Sequence, residues 1–86
     1  MITIEIYGVP RLRAGTGLVR LESSDLGSAL RGLGLACPAL VGSVLRGDRV
    51  HPAYKLSLNG ERFVDEPGTA LVDGDVLLLL AADVGG

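Results

Sequence analysis

The sequence predicts an α+β fold: a mixed sheet of about five strands packed on one main helix. Three observations carry this. The chain opens with strict alternation and closes on a run that is apolar on both faces, Val76 to Leu80. Between them, Leu26, Leu30 and Leu33 recur at helical spacing. A strand–Asn59-Gly60–strand signal follows that helix.

Each element has a local reason. Ile2, Ile4 and Ile6 alternate with Thr3, Glu5 and Tyr7, the period of a half-buried strand. Gly8 to Gly17 contains Pro10, Gly15 and Gly17 and reads as a connection. Leu18 to Glu22 is a second strand, paired with the first as a long-looped hairpin. Ser23 or Ser24 offers an N-cap hydroxyl, and Asp25 suits the first turn of the helix that follows. Gly32 and Gly34 weaken that helix and end it near Leu35. Pro38 fits the first turn of a second short helix running to Leu45, with Leu40, Val41, Val44 and Leu45 as its apolar face.

Gly47-Asp48 reads as a turn, and Tyr54 to Leu58 alternates again. Asn59-Gly60 suits a type I′ turn, whose two central residues both need positive φ. Arg62 to Val64 is a short strand. Pro67-Gly68 and Asp73-Gly74 are turns before the last run. That run suits a central strand, parallel to the first. The one substantial helix must cover a sheet face. This is the layout of a ubiquitin-like β-grasp, a single domain over 1–86 with a flexible tail over 81–86.

Composition narrows the function. Eight basic residues against ten acidic ones give a net charge of -2, and aromatics are 3%. A basic patch with aromatic platforms, the mark of a nucleic-acid binder, is absent. Cys37 is the only cysteine, so no internal disulfide or cysteine-based metal site is expected, and the usage fits a reducing cytoplasm. No signal peptide or membrane span is read from the chain. Gly15-Thr16-Gly17 lacks the further glycine and lysine of a phosphate-cradling loop. Cys37 reads as a small buried hydrophobe, His51 as an exposed loop residue, and Asp73 and Asp75 as turn residues. With no catalytic triad or dyad, the chain reads as a non-enzyme, although it suits the small subunit of one.

The last residues are Gly85-Gly86. Extended, 83–86 reach about 13 Å, enough to thread a terminal carboxylate into another protein's active site. Val76, Leu78 and Leu80 share one face of the final strand, and Leu77 and Leu79 the other. If one face meets the helix, the other leaves an apolar surface for a partner, with Tyr7 beside it.

The opening Met1-Ile2-Thr3-Ile4-Glu5-Ile6-Tyr7, Leu58-Asn59-Gly60-Glu61, Asp73-Gly74-Asp75 and terminal Gly85-Gly86 together resemble the MoaD/ThiS family of ubiquitin-like sulfur carriers, across the whole chain and nearer its MoaD-like members. Departures are Ala81-Ala82 where such carriers often have prolines, Val76 after the Asp-Gly-Asp, and Arg62 at an expected apolar contact. The resemblance implies that an E1-like adenylating enzyme of the MoeB/ThiF type, using ATP, puts AMP on Gly86. A sulfur donor then converts Gly86 to a thiocarboxylate. It implies no cofactor bound by the chain itself. The implied sulfur acceptor is the molybdopterin synthase large subunit, with cysteine or thiamine biosynthesis as other destinations. A protein modifier joined to lysines through Gly86 is the alternative. The implied partner-binding residues are Tyr7, Val76, Leu78, Leu80, Ala81, Ala82, Asp83 and Val84, with Gly85 and Gly86 as the reacting end.

Overall fold

The computed structural model describes residues 1–83. Strand β1 (Ile2–Ile6) is followed by a helix α1 (Gly8–Ala14), strand β2 (Leu18–Leu21) and helix α2 (Leu26–Ala36). A 3-10 turn at Pro38–Leu40 leads to β3 (Leu45–Arg46) and β4 (Arg49–Val50). Strands β5 (Tyr54–Leu58), β6 (Arg62–Val64) and β7 (Val76–Ala81) follow. The main sheet has the order β2-β1-β7-β5-β6, and β3 and β4 form a separate two-stranded hairpin.

The final run is central, as its apolarity on both faces requires. It lies parallel to β1, with Ile4 opposite Leu77, and antiparallel to β5, with Leu56 opposite Leu79. Ile2, Ile4, Ile6, Leu56, Leu77 and Leu79 turn inward against Leu26, Ala29, Leu30 and Leu33 of α2. One sheet face and one helix stripe therefore make the core.

Helix α2 begins one residue later than its serines suggest. Asp25 is the cap, accepting from the Ser28 N–H at 2.8 Å, while Ser23 Oγ donates to Asp25 O. The other early donors go to the loop after β6: Leu26 N–H to Thr69 O and Gly27 N–H to Pro67 O, both 2.9 Å. With the Asp25 N–H on Ser23 Oγ at 3.4 Å, all four donors that lack an intrahelical partner are satisfied. Gly32 and Gly34 do more than weaken the helix. An added Cβ would stand 3.2 Å from Leu21 and Val41 respectively, so the two glycines let β2 and the 41–45 segment pack close.

Three expectations are corrected. Gly8 to Gly17 is not simply a connection, because Gly8–Ala14 form α1. Pro10 sits in its first turn, where no intrahelical N–H bond is lost, and is buried; Gly15 closes it at φ 74 with its N–H on Arg11 O. The second helix stops at Leu40, and Leu45 starts the β3–β4 hairpin around Gly47, which takes φ 65. Of its expected apolar face, Leu40, Val44 and Leu45 are buried, but Val41 is exposed. His51 is a half-buried turn brace: its Nδ1 accepts the Ala53 N–H at 2.9 Å.

The Asn59-Gly60 turn forms with φ 57 and 70. Leu58 faces Arg62, so Glu61 is one more loop residue than a two-residue hairpin needs. Asn59 also ties this turn to β7. Its Oδ1 accepts the Val76 N–H at 2.8 Å, and its Nδ2 donates to Asp75 Oδ1 at 3.0 Å.

Candidate functional site

Alternation along β7 sorts its side chains between two environments. Leu77 and Leu79 are fully buried, whereas Val76, Leu78 and Leu80 are half-buried on the outer face. The registers extend that face across the sheet. One cross-strand row runs Leu18, Glu5, Leu78, Ser57, Phe63 through all five strands. Beside it, Leu80 faces Lys55 and Val76 faces Thr3. Helix α2 and the core occupy the opposite face. Along the cross-strand row Phe63 and Leu18 are 62% and 46% exposed, Glu5 and Leu78 are half-buried, and Ser57 is buried.

Tyr7 continues this face just past the end of β1. Its N–H bonds Leu79 O at 3.2 Å, and its phenol donates to the Glu5 carboxylate. That hydrogen bond, with some burial, holds the phenol above its ordinary range. Tyr7, Val76, Leu78 and Leu80 thus lie on one face of the sheet.

Ala81 belongs to the sheet rather than to a tail, and Ala82 follows it in a turn. Ala81 closes β7 opposite Tyr54, and the Ala82 N–H bonds Ala53 O at 2.8 Å. The antiparallel pairing with β5 holds these residues in place. Asp83 is exposed beyond them. Val84, Gly85 and Gly86 lie outside the described residues.

Two residues of the face were not singled out from sequence. Phe63 projects outward because Val64 turns in, an alternation readable from Arg62-Phe63-Val64 alone. Its ring carries the Lys55 ammonium 4.3 Å from the centroid. Leu18 reaches the face only through the β1–β2 register. Arg62 is exposed opposite Leu58.

Asp75 and Cys37 have structural places. Asp75 accepts the Val72 N–H and then the Asn59 amide, which hold its carboxyl below the usual range. Cys37 is buried at the end of α2, and burial pushes its thiol up. Among the described residues no group of three or more His, Cys, Asp or Glu is placed to hold a metal. No helix there is long and apolar enough to cross a membrane.

No protein-family model matches the chain, and no curated protein matches it. Solved structures do. SAMP1 from Haloferax volcanii superposes with a TM-score of 0.82 at 28% identity, covering 99% of this chain and 98% of that one. A chain of the Amycolatopsis orientalis BexX/CysO complex matches at 0.81 and 18% identity, over 100% of both. A chain of the complex between subunits 1 and 2 of the Helicobacter pylori 26695 molybdopterin-converting factor matches at 0.62 and 23%, over 99% and 97%. The architecture is a ubiquitin-like β-grasp, and its structural neighbours are ubiquitin-like sulfur carriers and modifiers.

Proposed function

We propose that this chain, built like the ubiquitin-like sulfur carriers, carries sulfur as a thiocarboxylate on Gly86. The observation that carries the reading is the design of β7. One strand supplies the core on one face and the half-buried Val76, Leu78 and Leu80 on the other. It then runs directly into the segment that ends in Gly85-Gly86.

The chemistry follows from the carboxylate. At neutral pH a C-terminal carboxyl, with a reference pKa of about 3.5, is an anion and a poor electrophile. Activation requires an acyl-adenylate, and Gly15-Thr16-Gly17 lacks the further glycine and lysine of a phosphate-cradling loop. An E1-like partner supplies that step; sulfur then displaces AMP. The row around Leu78 and Leu80, with Tyr7 at its end, docks the partner while the tail enters its active site. Apolar side chains set among polar ones, as Leu78 is between Glu5 and Ser57, are compatible with an interface, whose composition is close to that of the rest of a protein surface. Two neighbours of the same fold were solved in complexes, which supports a partner-dependent role. Delivery to a molybdopterin synthase large subunit is the destination we favour, with cysteine or thiamine biosynthesis as the other possible acceptors.

A second reading is favoured by one observation: a neighbour at 28% identity is described as small archaeal modifier protein 1. In that reading Gly86 forms isopeptide bonds to target lysines. The two readings separate in cells. The last basic residue is Arg62, so trypsin leaves residues 63–86, not a bare Gly-Gly, on any modified lysine. The carrier reading expects a thiocarboxylate on the recovered chain and no such branch on other proteins. Branched peptides without any thiocarboxylate would overturn it in favour of the modifier.

A further inference from the structure

Lys55 is the only lysine in the chain, the other seven basic side chains being arginines. Arginine stays protonated in proteins and does not act as an amine nucleophile. Lys55 is therefore the single side-chain amine near a terminus that, on the function proposed above, passes through an activated acyl state. The sheet places it on the outer face opposite Leu80, two residues before Ala82, whose N–H is fixed to Ala53 O. Residues 83–86 reach about 13 Å from that anchor, and directly paired strand residues are only about 5 Å apart. The two glycines permit the reversal this return needs. The other amine, on Met1, sits beside Asp73 at the opposite end of β7.

We propose that Lys55 is a self-acylation site, which captures the chain's own activated Gly86 when no sulfur arrives. The neutral Nζ attacks the Gly86 carbonyl carbon of the acyl-adenylate. The N–C bond forms, the C–O bond to AMP breaks, AMP leaves with the electron pair, and the nitrogen loses a proton to solvent. The product is an amide ring from 55 to 86 that withdraws the chain from sulfur transfer. Tethering favours the ring over a dimer, because linked groups meet at an effective concentration of about millimolar. Phe63 restrains the reaction by holding the ammonium over its ring. A contact of that strength, lost in F63A, corresponds to about a two- to fivefold change in rate.

The test uses neither the adenylating enzyme nor sulfur, so its failure is separable from failure of the carrier reading. The full chain is prepared as a C-terminal alkyl thioester, a chemical stand-in for the adenylate, and held dilute in mildly alkaline buffer. The expected product is monomeric and lighter than the hydrolysed chain by one water. Trypsin then leaves residues 50–62 joined to 63–86, uncut at Lys55. K55R forms only hydrolysed chain, and F63A closes faster by the factor above. A wild-type chain that only hydrolyses, a product that is only dimeric, or a ring that survives K55R overturns the proposal. An F63A rate equal to wild type overturns the restraint by Phe63.

Discussion

The tail, on the proposed function, enters at least two active sites, and a Cβ on either of the last two residues would enlarge it. On the proposed function, Gly85→Ala or Gly86→Ala therefore cripples thiocarboxylate formation. The circular dichroism spectrum and melting temperature stay those of the wild type. Normal charging of either variant would show that the tail has no narrow channel to pass. Two carboxylates set a different, structural expectation. Asp25 caps α2 through the Ser28 N–H, and Asp75 accepts the Val72 N–H and the Asn59 amide; both are held below the ordinary 3.8. Because their folded values are depressed, they contribute stability that is complete above the ordinary value. It is lost as the pH falls through the folded values. The urea midpoint should then drop as the pH is lowered below about 4. D25N with D75N should flatten that drop. A double variant with an unchanged acid profile would place the acid sensitivity elsewhere.

Within β7, adjacent leucines have different jobs. Leu79→Ala empties a fully buried position and should cost about 2–5 kcal/mol in urea unfolding. Leu78 is half-buried, so Leu78→Ala should cost roughly 1 kcal/mol, about half the transfer value of a fully buried leucine. It should nevertheless slow charging of Gly86 more than Leu79→Ala does in the folded fraction. The opposite ranking would mean that the outer row is not the docking surface. In α2, Gly27→Ala sets helix propensity against packing. The exchange favours alanine by up to about 1 kcal/mol in an exposed helix. Here the new Cβ would lie 3.1 Å from Pro67 Cβ and 3.3 Å from Pro67 O, a carbonyl already pinned by the Gly27 N–H. We expect a lower melting temperature; a higher one would show that the 65–72 loop yields.

The same elements show what a sequence can and cannot reveal. The central place of β7 was legible because a strand covered on both sides needs apolar residues at every position. The Asn59-Gly60 turn was legible because few pairs accept two positive φ angles. Helix α1 was not, since Gly8, Pro10 and Gly15 punctuate it as they would a loop, and it is held by packing of Pro10 rather than by propensity. The β3–β4 hairpin was hidden for a related reason: two residues per strand are too short to show a period. In the site, Phe63 was readable from alternation, whereas Leu18 depended on a register that only the fold sets.

At the scale of the whole molecule, the sheet divides the labour. Its inner face holds the core with α2, and on the proposed function its outer face docks another protein. The strand at its centre links both to the chain's last residues. With a net charge of only -2, long-range steering is weak, so on the proposed function recognition rests on contact with the outer row and the tail. The account's central claim is that Gly86 is the charged atom's host. Intact mass after incubation with an E1-like enzyme, ATP and a sulfur source tests it most directly. The account predicts replacement of one oxygen by sulfur in the wild-type chain and no change in a chain lacking Gly86. A mass that stays constant with an adenylating enzyme active on its own carrier, or sulfur gained by the chain lacking Gly86, would contradict it.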